Sequence, residues 1–140
     1  MSKLFNKALS FYGIKEIKGK IHNQTIVDFF TATTFEATED ESPWCSAFVN
    51  FVAKECGYER TESALARSWL NEGYEVFTPM LGDIVILWRG SKDSVWGHVG
   101  FFVNMDKDNV YILGGNQNDS VNIMSYDRDR ILEVRRLHKT

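Results

Sequence analysis

An α+β fold, with N-terminal helices packed on a C-terminal antiparallel β-sheet of about five strands, is what the sequence predicts, and three observations predict it. Apolar residues recur at helical spacing through the first half of the chain. From Gly82 onward the pattern changes to short apolar runs parted by polar turns. Helices first and a meander second make two layers around one core. A length of 140 residues, with no repeat, linker or low-complexity stretch, fits a single domain over 1–140.

The elements follow in order. Lys3 to Tyr12 reads as an amphipathic helix, Gly13 to His22 as a loop, and Gln24 to Ala32 as a helix with the apolar stripe Ile26, Val27, Phe29 and Phe30. After an acidic loop, Glu36 to Glu41, comes the best-marked helix. Ser42 suits its N-cap, and Pro43 suits its first position because the missing N–H would find no partner there. Phe48, Val49, Val52, Ala53 and Cys56 keep the helical spacing until Gly57 stops the run. A further helix is expected over Ser63 to Asn71. Strands are expected at Asp83 to Trp88, Gly97 to Val103, Val110 to Leu113, Val121 to Tyr126 and Ile131 to Leu137. The turns between them carry Asp and Asn, as at Asn104 to Asn109 and Asn118-Asp119.

Composition narrows the function. With 44% hydrophobic and 25% charged residues, the chain can bury a core without disulfides or metal. A net charge of −3 supplies no positive field for nucleic acid, and the basic stretch Arg128 to Lys139 is interleaved with Asp129 and Glu133. No apolar run approaches the roughly 18 residues of a membrane span, so membrane insertion is not expected. Met1 to Tyr12 lacks the apolar core of a signal peptide. The expectation is a chain made in the cytoplasm, with another system carrying it to the cell wall or periplasm if it acts there. There is no Cys-x-x-Cys, no His-x-x-x-His, no phosphate loop and no dinucleotide fingerprint. Neither metal nor cofactor is expected.

The two cysteines lie eleven positions apart in one expected helix, about 16 Å at 1.5 Å per residue, too far for a disulfide. Cys56 sits late in the helix among apolar neighbours and reads as a small core residue. Cys45 falls in the first turn, where unpaired N–H groups and the helix dipole favour a thiolate. A buried core thiol is the other reading of Cys45. A partner favours chemistry: His98 lies in a strand between Gly97 and Gly100, and an inward histidine there needs hydrogen-bond partners. Alternation puts His98 and Phe102 on one face and Val99, Phe101 and Val103 on the other. Extrapolating the hairpin around Asp106 and Lys107 sets Gly115 or Asn116 across from His98. Asn116 then becomes the candidate orienter of the imidazole, with Gln117 and Asp119 as weaker substitutes. The backbone N–H of Cys45 and a donor from the preceding loop would form an oxyanion hole. Trp44 and Trp96 neighbour these residues and are candidate groove walls, and Ser46 and Gln117 complete the expected substrate contacts. Arg67 and Ser68 read as a solvated helix face, His22 as a loop residue, and His138 as part of a fraying tail.

The order helix-borne Cys, strand His, strand-end Asn resembles the papain-like superfamily. The phrases Asp40-Glu-Ser-Pro-Trp-Cys-Ser-Ala-Phe-Val-Asn50, Gly82-Asp-Ile-Val, Gly97-His-Val-Gly-Phe101 and Leu113-Gly-Gly-Asn-Gln117 resemble its CHAP and NlpC-type branch of peptidoglycan amidohydrolases and endopeptidases, and within that a phage-associated group. The resemblance covers about Lys15 to Arg136. It implies a papain-like fold with the active site in a cleft between helices and sheet. It also implies Cys45 as nucleophile, His98 as base and then acid, and Asn116 as orienter, acting on a peptidoglycan peptide amide through a thioester. An export or immunity partner is a further expectation. Two alternatives stand beside it: a catalytically silent binding module of the same fold, and a thiol amidohydrolase for an amide outside the cell wall.

Overall fold

The computed structural model describes residues 2–17, 23–34 and 44–140. Three helices, α1 (Lys3–Leu9), α2 (Gln24–Phe29) and α3 (Cys45–Cys56), precede the strands β1 (Tyr74–Glu75), β2 (Ile84–Trp88), β3 (Gly97–Met105), β4 (Asn109–Gln117), β5 (Ser120–Asp127) and β6 (Ile131–Arg136). All pairings are antiparallel, in the order β1-β6-β2-β3-β4-β5. The α+β fold is therefore as expected, with a sixth, two-residue strand at one edge.

Alternation along the strands sorts the apolar residues onto two faces. Ile84, Ile86, Val99, Phe101, Leu113 and Val121 pack under the helices against Phe29, Phe48, Val49 and Val52. Val85, Leu87, Phe102, Val110, Ile112 and Val134 form a second cluster on the opposite face. This double burial is why β2 reads as an unbroken apolar run: Ile84 to Leu87 expose nothing on either side.

No described helix covers the second cluster; the sheet curls around it instead. β5 and β6 stand four places apart in the sheet, about 19 Å if it were flat. They are joined only by a 3-10 turn, Arg128–Arg130, which spans about 8 Å at 2 Å per residue. The ends of β5 and β6 therefore meet, and side chains from β2, β3 and β5 converge inside the curl.

Two expected elements differ. Ser63 to Asn71 is not an α-helix; only Ala66–Asn71 is helical, as a 3-10 segment. Backbone groups ahead of it are engaged elsewhere: the Ser63 carbonyl accepts from Ser46 Oγ (2.7 Å) and Asn50 Nδ2 (3.0 Å), and the Glu62 N–H donates to Asn50 Oδ1 (2.8 Å). Nor is the C-terminal tail frayed. Glu59 N–H donates to the His138 carbonyl, Thr140 N–H donates to the Gly57 carbonyl, and the His138 ring lies 5.2 Å from that of Tyr74. The expected cap residues Ser42 and Pro43, like His22, lie outside the described residues.

Candidate active site

Cys45 is the first residue of α3, with Trp44 at the N-cap, so its backbone N–H and that of Ser46 belong to the unpaired first turn. The sulfur is received by the sheet. Phe102 exchanges backbone hydrogen bonds with Asp83 and Gly82 on the β2 side. By the alternation of an antiparallel ladder, Val99 directs its N–H the opposite way, toward β4. The β3–β4 ladder runs only as far as Phe101 with Leu113, and beyond its end the Val99 N–H is near enough to the Cys45 sulfur to favour its thiolate. The thiol thus sits in the opening between two parting strands, one residue from His98.

His98 is buried at 4% exposure and pairs with Leu87 of β2. Its Nε2 lies 2.9 Å from Gln117 Oε1 and 3.3 Å from the Tyr126 hydroxyl. The Gln117 amide nitrogen is surrounded by three acceptors, the Ile112 carbonyl (3.2 Å), the Asn122 carbonyl (2.8 Å) and Asn122 Oδ1 (3.0 Å). Its oxygen must then be the atom facing the ring, so Nε2 carries the proton and donates it to Oε1. Nδ1 keeps its lone pair, which is the form a general base needs.

The orienting bond therefore belongs to Gln117, not to Asn116 as the extrapolated hairpin has it. A bulge between Gly114 and Gln117 breaks the register with β5, and Asn116 adopts a left-handed φ of 58°. That turn of the backbone exchanges the directions of residues 116 and 117. The two glycines before it make the exchange fit. A Cβ on Gly114 would stand 2.7 Å from Gln117 Oε1, and one on Gly115 would stand 2.6 Å from the Trp44 ring. Asn116 instead lines the cleft.

The cleft, of about 590 Å³, holds Cys45, His98 and Asn116 together. The segment Ser63 to Ala66 and Thr34 line it, as do Arg89 and Val95 to Gly97 of the β2–β3 loop. Trp96 stands on its rim, 61% exposed, beside exposed Leu65 and Val95. Trp44, Ser46 and Gln117, expected to contact substrate, do not reach it. Trp44 has no exposed surface and donates Nε1–H to Glu16 (2.8 Å), because the notch at Gly115 draws the ring into the core. Ser46, also fully buried, donates to the Ser63 carbonyl and accepts from Trp69 Nε1–H (2.9 Å). Gln117 is spent on His98. The loop of the expected second oxyanion donor lies outside the described residues, which leaves the Cys45 N–H as the described donor at that position.

Arg67 is not a solvated residue either. Its guanidinium donates to the carbonyls of Trp96 (2.7 Å), Lys92 (2.8 Å) and Ser91 (2.9 Å), fastening the β2–β3 loop to the opposite wall. In Arg67→Gln, amide hydrogen exchange over residues 91–96 is expected to quicken by roughly tenfold while that of β3 and β4 stays unchanged.

Two further residues of the site, Tyr126 and Arg89, carry no local sequence signal. Tyr126 reaches His98 only through the curl of the sheet, its ring 5.2 Å from the imidazole, and no local pattern signals that. Burial pushes its hydroxyl up to about 12, so it stays protonated.

Burial also governs the charge state of the pair. It raises the Cys45 thiol above its ordinary value against the lowering pull of the Val99 and Ser46 N–H groups, Arg89 and its own N–H. The helix mouth therefore does not give a resting thiolate, contrary to the expectation from its position alone. Burial lowers His98 from 6.5 to about 4, with the Gln117 bond opposing. At neutral pH the proton rests on sulfur and Nδ1 is free. The unfolded chain takes up a proton near pH 6.5 that the folded chain refuses until about pH 4. The stability this contributes is complete above 6.5 and is lost as pH falls toward 4. Urea unfolding should show about 3 kcal/mol lost over that window beyond the loss in His98→Gln.

A helix-borne thiol and a strand-borne imidazole sharing one cleft between helices and antiparallel sheet place the fold in the papain-like class. Within that class the sequence matches the CHAP domain over residues 37–116, more than half of the chain. The chain belongs to the CHAP family, whose domains are hydrolases of the peptidoglycan amidase and peptidase type. No curated protein matches it. Among the described residues, no helix is long and apolar enough to cross a membrane.

Proposed function

We propose that the chain hydrolyses an amide bond in peptidoglycan peptide, with Cys45 as nucleophile, His98 as general base and acid, and Gln117 as the residue that positions the imidazole. The observation that carries this reading is the tautomer. The Gln117 amide leaves His98 Nδ1 unprotonated in the cleft that holds a protonated Cys45 thiol.

The sulfur attacks the carbonyl carbon as its proton passes to Nδ1. The Cys45 backbone N–H faces the oxygen as charge develops there. The imidazolium returns the proton to the leaving nitrogen while the C–N bond breaks, giving a thioester and a free amine. Water then attacks the thioester as His98 takes its proton, and the imidazolium returns that proton to sulfur as the C–S bond breaks, releasing a carboxylic acid and restoring the thiol and the neutral imidazole. Throughout, Nε2–H stays bonded to Oε1, so Gln117 stabilises the cationic ring by its dipole. Tyr126, neutral and tilted against the ring, limits its rotation.

Digestion of purified sacculi, followed by mass spectrometry of the new amino termini, tests the reading. A single type of new terminus, absent with Cys45→Ala, supports it and names the bond. Intact sacculi alongside cleavage of soluble peptide amides would move the substrate away from the wall.

A further inference from the structure

We propose that Arg89 is the receptor for a carboxylate that the substrate carries beside the scissile amide, so that the chain prefers anionic peptides to their amidated counterparts. This deepens the hydrolase reading and rests on it for the word substrate; the anion site itself rests on geometry. Arg89 follows the last residue of β2, and its backbone N–H donates to the Trp96 carbonyl across the β2–β3 ladder. Leu87 lies directly opposite His98, so Arg89, two residues on, leaves the sheet on the same face as the imidazole. Its side chain lines the cleft with Cys45 and His98.

What singles it out is the lack of a partner. The other six arginines each donate to a backbone carbonyl or a carboxylate. Among the described residues the Arg89 guanidinium has neither. No described carboxylate lines the cleft, whose remaining walls are the apolar rim of Leu65, Val95 and Trp96 and the polar side chains of Thr34, Ser63 and Asn116. A guanidinium is a fork of N–H donors that matches a carboxylate with two parallel bonds. Left open at the mouth of a cleft with no other charged side chain among the described residues, it attracts an anion toward the thiol. The charge is near enough to act on Cys45, His98 and Tyr126. Arg130, the other cation acting on His98, is occupied by the Trp88 carbonyl and lies over the Trp88 and Tyr126 rings.

The test uses two alkylating probes that differ in charge, iodoacetate and iodoacetamide, at pH 8.5 and low ionic strength. The Cys45 adduct is read by peptide mass spectrometry. The iodoacetate-to-iodoacetamide rate ratio at Cys45 should exceed that of N-acetylcysteine by about tenfold. It should fall to the free-thiol ratio in Arg89→Gln and survive in part in Arg89→Lys. Lys107→Gln, an equal charge change in the distant β3–β4 turn, should leave the ratio unaltered. A ratio unchanged by Arg89→Gln, or lowered equally by Lys107→Gln, overturns the proposal. The substrate arm compares two peptides that differ only in a free carboxylate or a carboxamide beside the cleaved bond. Preferential cleavage of the carboxylate, lost in Arg89→Gln, supports the proposal. Equal cleavage overturns it and leaves the hydrolase reading standing. No cleavage of either peptide or of sacculi, with the probe preference intact, overturns the hydrolase reading and leaves an anion-binding cleft.

Discussion

Replacing Cys45 with alanine is expected to lower the release of new amino termini from purified peptidoglycan by at least about 10⁴-fold, with the folded chain retained. The magnitude follows from the site. Without the sulfur no thioester forms, and water would have to attack the amide directly with only the Cys45 N–H and one imidazole to assist. The variant should fold, because the change removes one sulfur from the first residue of α3 and leaves the packing of Phe48, Val49 and Val52 in its later turns intact. Cys56→Ala is the matched control. That thiol ends the same helix and donates to the Lys3 carbonyl at 3.6 Å, so activity should stay within about twofold. Circular dichroism and a thermal melt separate lost chemistry from lost fold. Activity surviving in Cys45→Ala would remove the nucleophile from the mechanism.

The second large effect is expected at Gln117, and it distinguishes positioning from mere packing. Gln117→Leu deprives Nε2–H of its acceptor and strips donors from the Ile112 and Asn122 carbonyls. The ring then loses both its fixed tautomer and its orientation, and kcat should fall by about 10² to 10⁴. Stability should fall by about 1–3 kcal/mol from the stranded buried groups. Gln117→Glu is the informative partner. A carboxylate still accepts from Nε2–H, so the tautomer survives, but its charge favours the imidazolium and raises the His98 pKa from about 4. A reaction that needs neutral imidazole is active above that pKa. The acid limb of kcat/KM should therefore begin near pH 4 in the parent chain and move upward in Gln117→Glu, while Asn116→Ala leaves it in place. A limb that stays fixed in Gln117→Glu would detach Gln117 from the base.

The sheet register explains why Asn116 looked like the orienter. Counting back from a hairpin assumes an unbroken ladder, but the register slips between Phe102 and Asn104: the pairs beside the turn, Met105 with Val110 and Asn104 with Tyr111, would carry position 117 to His98, and only the shifted pairs, Phe102 with Ile112 and Phe101 with Leu113, would carry position 116 there. The ladder then fails beyond Leu113, and the left-handed Asn116 turns Gln117 inward. The residues for this were visible: two glycines before two amides is an unusual end for a strand. Their meaning was not, because Gly114 and Gly115 are explained only by the Gln117 side chain and Trp44 ring that occupy the space beside them. Trp44 departs from its expected place on the groove wall for the same reason. Adjacency to Cys45 along the chain says nothing of direction at a helix start, where successive residues diverge by about 100°.

By itself the sequence determined the α+β order of elements, the thiol at a helix mouth, the histidine on a strand, and a pattern specific enough to point to the CHAP family. These are local or periodic properties, written in the spacing of apolar residues and in short phrases. Only the tertiary structure decided which amide holds the imidazole, that Tyr126 tilts against it, that Arg89 stands open in the cleft, and that the thiol rests protonated. Each of those depends on groups brought together by a bulge, a curled sheet or loss of water. Such effects arise from distance and burial, which a chain acquires only when its strands have closed.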